Sequence, residues 1–229
     1  MSYKRVIVAI DGPAGAGKST IAKRVAAKLG YVYINTGAMY RAVALWALRL
    51  NVALHDMHRL EQLANEAKIE LTDGGGVLLN GEDVTDAIRD EEVSRAASKV
   101  AAVAAVRRAM VTLQRAIAEQ TSVVMEGRDI GTVVFPQATV KIFLDAEPGE
   151  RARRRTSELK ETAQPADIES VTTELRQRDA RDRERQESPL VQAPDAELLD
   201  TTGMTLEQVE ENVLRLVRSR TSNGKEAVR

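Results

Sequence analysis

Eight residues near the start of the chain carry the clearest chemical signal. Residues 12–19 read GPAGAGKS, which fits the spacing G-x-x-x-x-G-K-[ST] of a loop that surrounds phosphate groups. Glycines let such a backbone turn tightly and approach an anion, and its N–H groups point at phosphate oxygens. Lys18 adds a flexible cation for the β- and γ-phosphates, and the Ser19 hydroxyl is suited to Mg²⁺. The segment therefore predicts a nucleoside triphosphate site.

The residues around this segment favour that interpretation over a chance glycine-rich turn. Upstream, residues 5–10 form a short β-branched run that is typical of a buried parallel strand. Downstream, apolar residues recur at helical spacing over residues 21–29, and Gly30 is a candidate helix end. The glycines thus lie between a strand and a helix, where phosphate binding requires them. By itself the motif predicts triphosphate binding and leaves the reaction open.

Polar residues also follow two further predicted strands, at residues 31–34 and 122–125. Because open α/β sheets bind ligands at the carboxyl ends of their strands, Thr36, Arg41 and the Arg128–Asp129 pair are candidate ligand contacts. Each has a structural alternative. Thr36 can cap a helix and Arg41 can be a solvated helix charge, which these two residues taken alone favour. The Arg128–Asp129 pair can be a structural salt bridge.

The order of apolar runs predicts an α/β fold. Five runs predict strands of a parallel sheet, and the last two are Val140–Asp145 and Glu197–Asp200. Between the second and third runs, residues 69–72 and 77–79 and an Asn-Gly turn signal at residues 80–81 predict a small antiparallel sheet. The acid that ends the fourth run, Asp145, is either a metal partner or an ordinary strand-end residue, and we favour the latter.

A strongly charged stretch follows the fourth strand, from Glu150 to Arg185. Arginines concentrate at both of its ends, and a break at residues 162–167 separates them, which predicts a helical hairpin. Arg178, Arg181 and Arg185 recur at i, i+3 and i+7 and are therefore predicted to share one helix face. Such a charge run is usually a solvated face. Placed against a triphosphate, it would neutralise the transferred phosphoryl group, and a hinged hairpin would exclude water.

Composition narrows the function classes. The chain has 229 residues, of which 43% are hydrophobic, so a sizeable core can form within one domain with insertions. A net charge of −1 argues against a protein whose main task is to grip nucleic acid. The absence of cysteine excludes disulfides and thiolate metal sites. No apolar run approaches the roughly 20 residues of a membrane helix. We expect a cytoplasmic monomer that binds neither nucleic acid nor membranes.

Taken together, the motifs resemble bacterial cytidylate kinases, a family of nucleoside monophosphate (NMP) kinases. The resemblance extends over about residues 5–217 and rests on the segments GPAGAGKST (12–20), TGAMYR (36–41), LNGEDVT (79–85), AS (97–98), EGRDIGTVVFP (126–136) and RDARDR (178–183). It implies a P-loop core with a five-stranded parallel sheet flanked by helices, a small antiparallel-sheet insert that binds the NMP, and a helical lid. The reaction it implies is ATP + (d)CMP → ADP + (d)CDP, with Mg²⁺.

The resemblance also implies domain boundaries and residue roles. A single kinase unit over 1–229 would have its core at about 4–60, 121–149 and 191–220, its insert at about 61–120 and its lid at about 150–190. ATP would be bound by Gly12, Pro13, Ala14, Gly15, Ala16, Gly17, Lys18, Ser19, Thr20, Arg151 and Arg155, with Ser19 also on the metal. CMP would be bound by Thr36, Arg41, Ser98, Arg107, Arg128, Asp129, Arg178, Asp182 and Arg185. Catalysis would rest on Lys18, Arg128 and Arg185.

Within the CMP set, the resemblance implies that Ser98, Arg107 and Asp129 read cytosine. Cytosine presents acceptors at N3 and O2 and a donor at N4, whereas uracil reverses the pattern at N3 and position 4. An arginine donor combined with acceptor oxygens therefore selects cytosine, and uracil would leave a buried polar group unpaired. We expect UMP to be a much poorer substrate than CMP.

One residue departs from the family pattern, because the family often has Asp where this chain has Asn35. If that acid helps to hold metal-bound water, the role is weakened or moved here, and Asp129 or Asp145 are candidates to take it over.

Three other functions are alternatives to a nucleoside monophosphate kinase. A GTPase would need an N-K-x-D element, and the sequence has none. A small-molecule kinase of another specificity would share the core and lid but lack the inserted sheet. A non-catalytic nucleotide sensor is disfavoured by the intact lysine, serine and arginines.

Overall fold

The structure, a computed structural model, describes residues 5–72, 75–161 and 167–226. The strands are β1 Ile7–Asp11, β2 Val32–Asn35, β3 Ile69–Leu71, β4 Val77–Leu79, β5 Glu82–Asp83, β6 Val123–Gly127, β7 Val140–Asp145 and β8 Glu197–Asp200. Five of them pair in parallel in the order β2-β6-β1-β7-β8, and the other three form an antiparallel sheet in the order β3-β4-β5. The predicted five-stranded parallel sheet and the small antiparallel sheet are both confirmed.

The helices are α1 Lys18–Leu29, α2 Thr36–Arg49, α3 Met57–Glu66, α4 Glu91–Val100, α5 Ala104–Ala118, α6 Pro148–Glu161, α7 Ile168–Glu184 and α8 Leu206–Glu226. Helix α1 ends at Gly30, which adopts the left-handed conformation (φ 66°) expected of a glycine at this position. A capping box opens α8, since Thr205 and Gln208 exchange side-chain and backbone hydrogen bonds. None of the helices in the described ranges is long and apolar enough to cross a membrane.

The central strand β1 divides two apolar cores. Val8 and Ile10 pack with the layer formed by α1 and α8, whereas Ala9 packs with the layer formed by α2, α4 and α5. All three side chains are fully buried. Because side chains alternate along a strand, a nearly continuous apolar run such as IVAI belongs between two helix layers. The five-stranded sheet is therefore rigidly held on both faces.

The strand order brings polar residues to one edge of this sheet. Asp11 is paired in register with Gly127, and Asn35 is paired with Glu126. The chain passes from β1 to β2 and β6 on one side of β1, and then crosses to β7 and β8 on its other side. Such a reversal of direction opens a crevice at the carboxyl ends of the strands. The loops that follow β1, β2 and β6 therefore meet there.

Helices α6 and α7, which fall in the predicted lid and are called the lid helices below, pack on each other and on the loop after β1. A separate apolar cluster joins Ala14 of that loop to Ala152, Leu159, Val171 and Leu175 of the two helices. The predicted hairpin is thus present as two packed helices. Its predicted break at 162–167 lies outside the described residues except for Asp167, which caps α7 by accepting a hydrogen bond from the N–H of Ser170.

Two local predictions about helix ends were wrong. Asn35, and not Thr36, caps α2, because the Asn35 side chain accepts the N–H of Ala38 at 2.9 Å. Arg185 lies just beyond α7 with extended backbone (ψ 141°), so it does not continue the helix face of Arg178 and Arg181. Helix ends depend on such local contacts and backbone angles, which a periodic pattern does not specify to the residue.

Candidate active site

Glycines determine the path of the loop between β1 and α1. Gly12, Gly15 and Gly17 have φ values of 147°, 75° and 85°, which residues with a Cβ atom rarely adopt. At Gly12 a Cβ atom would also lie 1.9 Å from the carbonyl oxygen of Leu144 in β7. The loop can therefore pass this close to the sheet only with glycine at that position.

Helix α1 begins immediately after this loop, with its first turn uncapped. Its N-cap residue Gly17 has no side chain to accept hydrogen bonds, and the first turn contains no acidic residue. Unpaired N–H groups and the positive end of the helix dipole favour an anion at this point. The side chains of Ser19 and Thr20 are exposed here, so their hydroxyls are accessible to a ligand.

Lys18 is buried within the loop. Only 5% of the residue is exposed, and its Nζ donates to the carbonyl oxygen of Pro13 at 2.5 Å. Burial first, and the positive charge of Arg128 second, lower the pKa of Lys18 to about 7. A phosphate group beside Lys18 would supply the negative charge that the protein provides only in part.

A cleft of about 270 Å³ opens beside Lys18. Segments from the loop, the start of α2, the end of β6 and both lid helices line it. Six cations and three carboxylates contribute to this lining, namely Lys18, Arg41, Arg89, Arg128, Arg155 and Arg178 against Glu126, Glu158 and Glu174. The excess of positive charge indicates an anion site.

Arg41 and Arg178 are the side chains that indicate an anion site most clearly. The Nε atom of Arg41 is buried and has no hydrogen-bond partner among the described residues, and burial lowers the pKa of this guanidinium. Burial, together with the nearby charge of Arg128, lowers the pKa of Arg178 to about 10. Desolvated guanidinium groups that repel one another favour a multiply charged ligand between them, since such a ligand offsets both costs.

Arg128 and Asp129, predicted as a pair, do not form a salt bridge with each other. Arg128 Nε donates to Oδ2 of Asp182 in α7 at 2.9 Å. The other carboxylate oxygen of Asp182 lies 3.6 Å from Nη1 of Arg185, whose buried Nη2 has no partner in the described part of the chain. The lid is thereby joined to the end of β6, and two predicted phosphate ligands meet on one carboxylate.

Asp129 instead pairs with Arg107 of α5. Arg107 Nη2 donates to Asp129 Oδ2 at 2.5 Å, and only 3% of Arg107 and 5% of Asp129 are exposed. The guanidinium also donates to the Ala101 carbonyl oxygen and lies 5.3 Å from the ring centroid of Tyr40. Arg107 is therefore a buried residue. Its Nε has no partner among the described residues, so one donor is left for a ligand.

The remaining predicted CMP contacts also lie around this region. The Ser98 Oγ accepts a hydrogen bond from Nε of Arg181 in the lid at 3.2 Å. The Thr36 hydroxyl donates to the carbonyl oxygen of Glu126 at 2.7 Å and is 3% exposed. Thr36 thus joins β2 and β6 at the sheet edge.

The two lid arginines predicted to contact ATP occupy different environments. Arg155 lines the cleft and pairs with Glu158 at 3.2 Å. Arg151 is 6% exposed and lies behind the loop, where it donates to the Ala14 carbonyl oxygen and to Asp179. Arg151 is therefore placed to act on the loop itself.

The sequence analysis assigned no role to three buried acids at this site. Glu126 accepts the Tyr33 hydroxyl at 2.7 Å and lines the cleft. Asp11 accepts the N–H groups of Ile130 and Gly131 at 2.9 and 2.7 Å, and Asp179 contacts the loop. Asp11 and Glu126 each directly follow a predicted strand, at residues 5–10 and 122–125, and this position is the signal that could have singled them out. Asp179 carries no such signal, because only folding brings α7 to the loop.

The predicted Mg²⁺ site at Ser19 would use few protein ligands. No group of three or more His, Asp or Glu side chains that could hold an ion is found within residues 5–72, 75–161 and 167–226. Mg²⁺ in phosphoryl-transfer sites usually keeps several waters and takes one or two protein oxygens plus substrate phosphates. The exposed Ser19 hydroxyl and the Glu126 carboxylate, which both line the cleft, fit that donor set. Asp145 is absent from the cleft lining, and its Oδ1 accepts its neighbour's N–H.

The site combines a glycine-rich phosphate loop at the crevice of a parallel sheet with arginines that face it from the core and the lid helices. This combination is typical of a P-loop phosphotransferase. The family model for cytidylate kinase matches residues 8–219. A cytidylate kinase of Solibacter usitatus is 61% identical over 225 residues, covering 97% of this chain and 97% of that protein. One of Geobacillus kaustophilus is 51% identical over 220 residues, covering 95% and 98%. The chain belongs to the cytidylate kinase family.

Solved structures agree on the fold. A gluconokinase from Sinorhizobium meliloti superposes with a TM-score of 0.52 at 13% identity, covering 99% of this chain and 100% of that one. An uncharacterised protein from Eubacterium ventriosum gives a TM-score of 0.54 at 12% identity, covering 94% and 99%. At such low identity these likenesses concern the fold alone.

Proposed function

We propose that the protein transfers the γ-phosphoryl group of ATP to the phosphate of CMP or dCMP, giving ADP and CDP or dCDP. The observation that carries the proposal is the convergence of Lys18, Arg41, Arg128 and Arg178 on one cleft beside the phosphate loop. Phosphoryl transfer needs positioning and charge neutralisation more than a strong base, and this cleft offers cations from core and lid. Membership of the cytidylate kinase family supports the choice of acceptor.

The donor nucleotide would use both sides of the phosphate loop. The loop N–H groups and Lys18 would bind the β- and γ-phosphates, reaching them from the cleft side. A second cavity of about 540 Å³ lies along Gly17 and Thr20, between α6 and the chain around Thr201–Met204. It is large enough to take the nucleoside of ATP, with Arg153 and Arg154 in its lining. Arg155 would reach the phosphates from the lid.

The acceptor would lie on the opposite side of the cleft. The CMP phosphate would be bound by Arg41, Arg128 and Arg185. Among the described residues, Nε of Arg41 and Nη2 of Arg185 have no hydrogen-bond partner, and Arg128 pairs with Asp182 through its Nε. Thr36, Arg178 and Asp182 would contact the nucleoside near the ribose. The buried Arg107–Asp129 pair, with Ser98 nearby, would present both a donor and acceptors to the cytosine edge.

Charge distribution explains how these residues would promote the reaction. As the phosphoryl group moves, its negative charge spreads over the equatorial oxygens between donor and acceptor. Lys18 and Arg128 would lie along that path and stabilise the charge, while a lid that covers the cleft would keep water out. Ser19 and, through water, Glu126 would hold Mg²⁺, which would supply positive charge that neutralises the phosphates.

The test is a coupled ADP-release assay with ATP–Mg²⁺ that offers CMP, dCMP, UMP, AMP, GMP and gluconate in parallel. We expect strong turnover with CMP and dCMP and little with UMP. Turnover only with a non-nucleotide would keep the phosphate-loop assignment and discard the roles of Ser98, Arg107 and Asp129. No turnover with any acceptor would contradict the proposal.

We further propose a monomer, because one chain supplies all of these residues, and sedimentation velocity tests this directly.

A further inference from the structure

One carboxylate joins the lid to the phosphate loop in the interior of the protein. Asp179 of α7 is 3% exposed, and its Oδ1 accepts the N–H of Ala14 at 3.3 Å. Its Oδ2 accepts a hydrogen bond from Arg151 Nη1 at 2.5 Å. Neither oxygen is among the buried side-chain atoms that lack a partner in the described residues. The carboxylate is therefore fully engaged away from the cleft.

Arg151 completes the contact with the same loop residue. Its Nη1 also donates to the Ala14 carbonyl oxygen at 3.0 Å, and its Nε donates to the Ala146 carbonyl oxygen at 3.1 Å. One buried ion pair thus holds both backbone polar groups of Ala14. The Ala14 methyl group packs on Leu159 and Leu175 of the lid, so apolar contacts reinforce the polar ones.

The position of Ala14 in the loop gives this contact its consequence. The next residue, Gly15, has a φ of 75°, and a Cβ atom there would lie 2.9 Å from the Arg151 carbonyl oxygen. Glycine-rich backbone has many accessible conformations, and ordering it costs free energy when a ligand binds. Because Ala14 is fixed, the backbone N–H groups that follow it already have defined directions. The free-energy cost of ordering the loop therefore does not have to be met when ATP binds.

We propose that Asp179 is a positioning residue that, with Arg151, holds the phosphate loop in the conformation that binds the ATP phosphates. The same helix carries Arg178 and Asp182 on the CMP side, so the loop is held by the element that also contacts the acceptor. The inference rests on the proposed function only in that it requires the loop to bind a nucleotide polyphosphate. It assigns Arg151 to ATP binding through the loop.

The test compares Asp179→Asn with Glu184→Gln, which removes an exposed carboxylate from the same helix. Dissociation constants for ADP and for CMP are measured by titration calorimetry, and KM and kcat for both substrates by the coupled assay. We expect Asp179→Asn to weaken ADP binding by at least about tenfold and to raise KM for ATP, because the loop is no longer held. CMP binding changes by less than about twofold, and Glu184→Gln changes neither. Equal losses for ADP and CMP would contradict the proposal.

A second variant separates positioning from folding. Asp179→Asn leaves the Arg151 charge buried without its partner, which can destabilise the protein. The double variant Asp179→Leu, Arg151→Met removes both charges and is expected to fold, but the N–H and the carbonyl oxygen of Ala14 then lose their ion-pair partners. We expect it to keep the weak ADP binding with a normal melting temperature. Recovery of ADP affinity together with stability would overturn the proposal. Failure of wild-type protein to turn over CMP would bear on the proposed function alone, since ADP binding is measured separately.

Discussion

The Glu126 carboxyl and the Asn35 amide stand on residues that pair directly across the parallel strands β6 and β2. Asn35 is committed to capping α2, whereas Glu126 accepts the Tyr33 hydroxyl and lines the cleft. We propose that Glu126, on the neighbouring strand, takes the role of the acid that the family often has at the end of β2. The sequence analysis considered Asp129 and Asp145 for this role, but Asp129 is paired with Arg107 and Asp145 is not in the cleft lining.

We predict that Glu126→Gln raises the Mg²⁺ concentration needed for half-maximal rate by about tenfold, since carboxylates that orient metal ligands have effects of this size. The measurement is the initial rate over a Mg²⁺ titration at saturating ATP and CMP. Tyr33→Phe is the matched control, because it removes the hydrogen bond and keeps the carboxylate. An unchanged Mg²⁺ requirement in Glu126→Gln would remove Glu126 from the metal site.

Lys18→Met should lower kcat by about 10²- to 10³-fold, the usual effect of removing one donor to a developing charge. The fold should survive this change, since burial and the charge of Arg128 lower the pKa of Lys18, so that its charge is costly in the free protein. We expect an unchanged or higher melting temperature without nucleotide. Near-normal kcat would exclude Lys18 from catalysis.

Asp129→Ala should reduce kcat/KM for CMP by more than about 100-fold while changing ATP affinity little. The variant has no carboxylate to accept a hydrogen bond from cytosine, and a base whose polar group is left unpaired in a buried site binds much more weakly. The variant also leaves Arg107 buried without its partner, which we expect to cost about 3–5 kcal/mol in the free energy of unfolding. Urea denaturation measures that cost. In the double variant Arg107→Met, Asp129→Leu we expect stability to return while CMP use does not. Equal losses for ATP and CMP in Asp129→Ala would mean that Asp129 does not read the base.

Asp11 should make stability depend on pH. Burial raises its pKa from 3.8 to about 6, even though the N–H groups of Gly131 and Ile130 act in the opposite direction. The folded protein therefore holds this proton more tightly than the unfolded chain, so the contribution is present below pH 4 and lost as pH rises through 6. Relative to Asp11→Asn, the free energy of unfolding of the wild type should fall by about 3 kcal/mol over this window. Parallel pH slopes in urea denaturation would refute this prediction.

The sequence by itself determined the elements and the kind of site. Short β-branched runs, helical periodicity and the GPAGAGKS segment each depend on residues close together in the chain, and local propensity and glycine chemistry are enough to interpret them. That is why the strands of the parallel sheet, the inserted sheet and the helical hairpin were predicted and confirmed. The family followed from several such segments occurring in one order.

Only the tertiary structure decided which polar groups meet. Arg128 binds Asp182 across 54 positions, Arg107 binds Asp129 across 22, and Asp179 reaches Ala14 across 165. No local pattern encodes such pairs, because burial and charge compensation arise only when distant elements pack together. For the same reason no role could be assigned to Asp179 from the sequence alone. The chain specifies the loop that binds phosphate, and the fold specifies which carboxylates and guanidinium groups surround it.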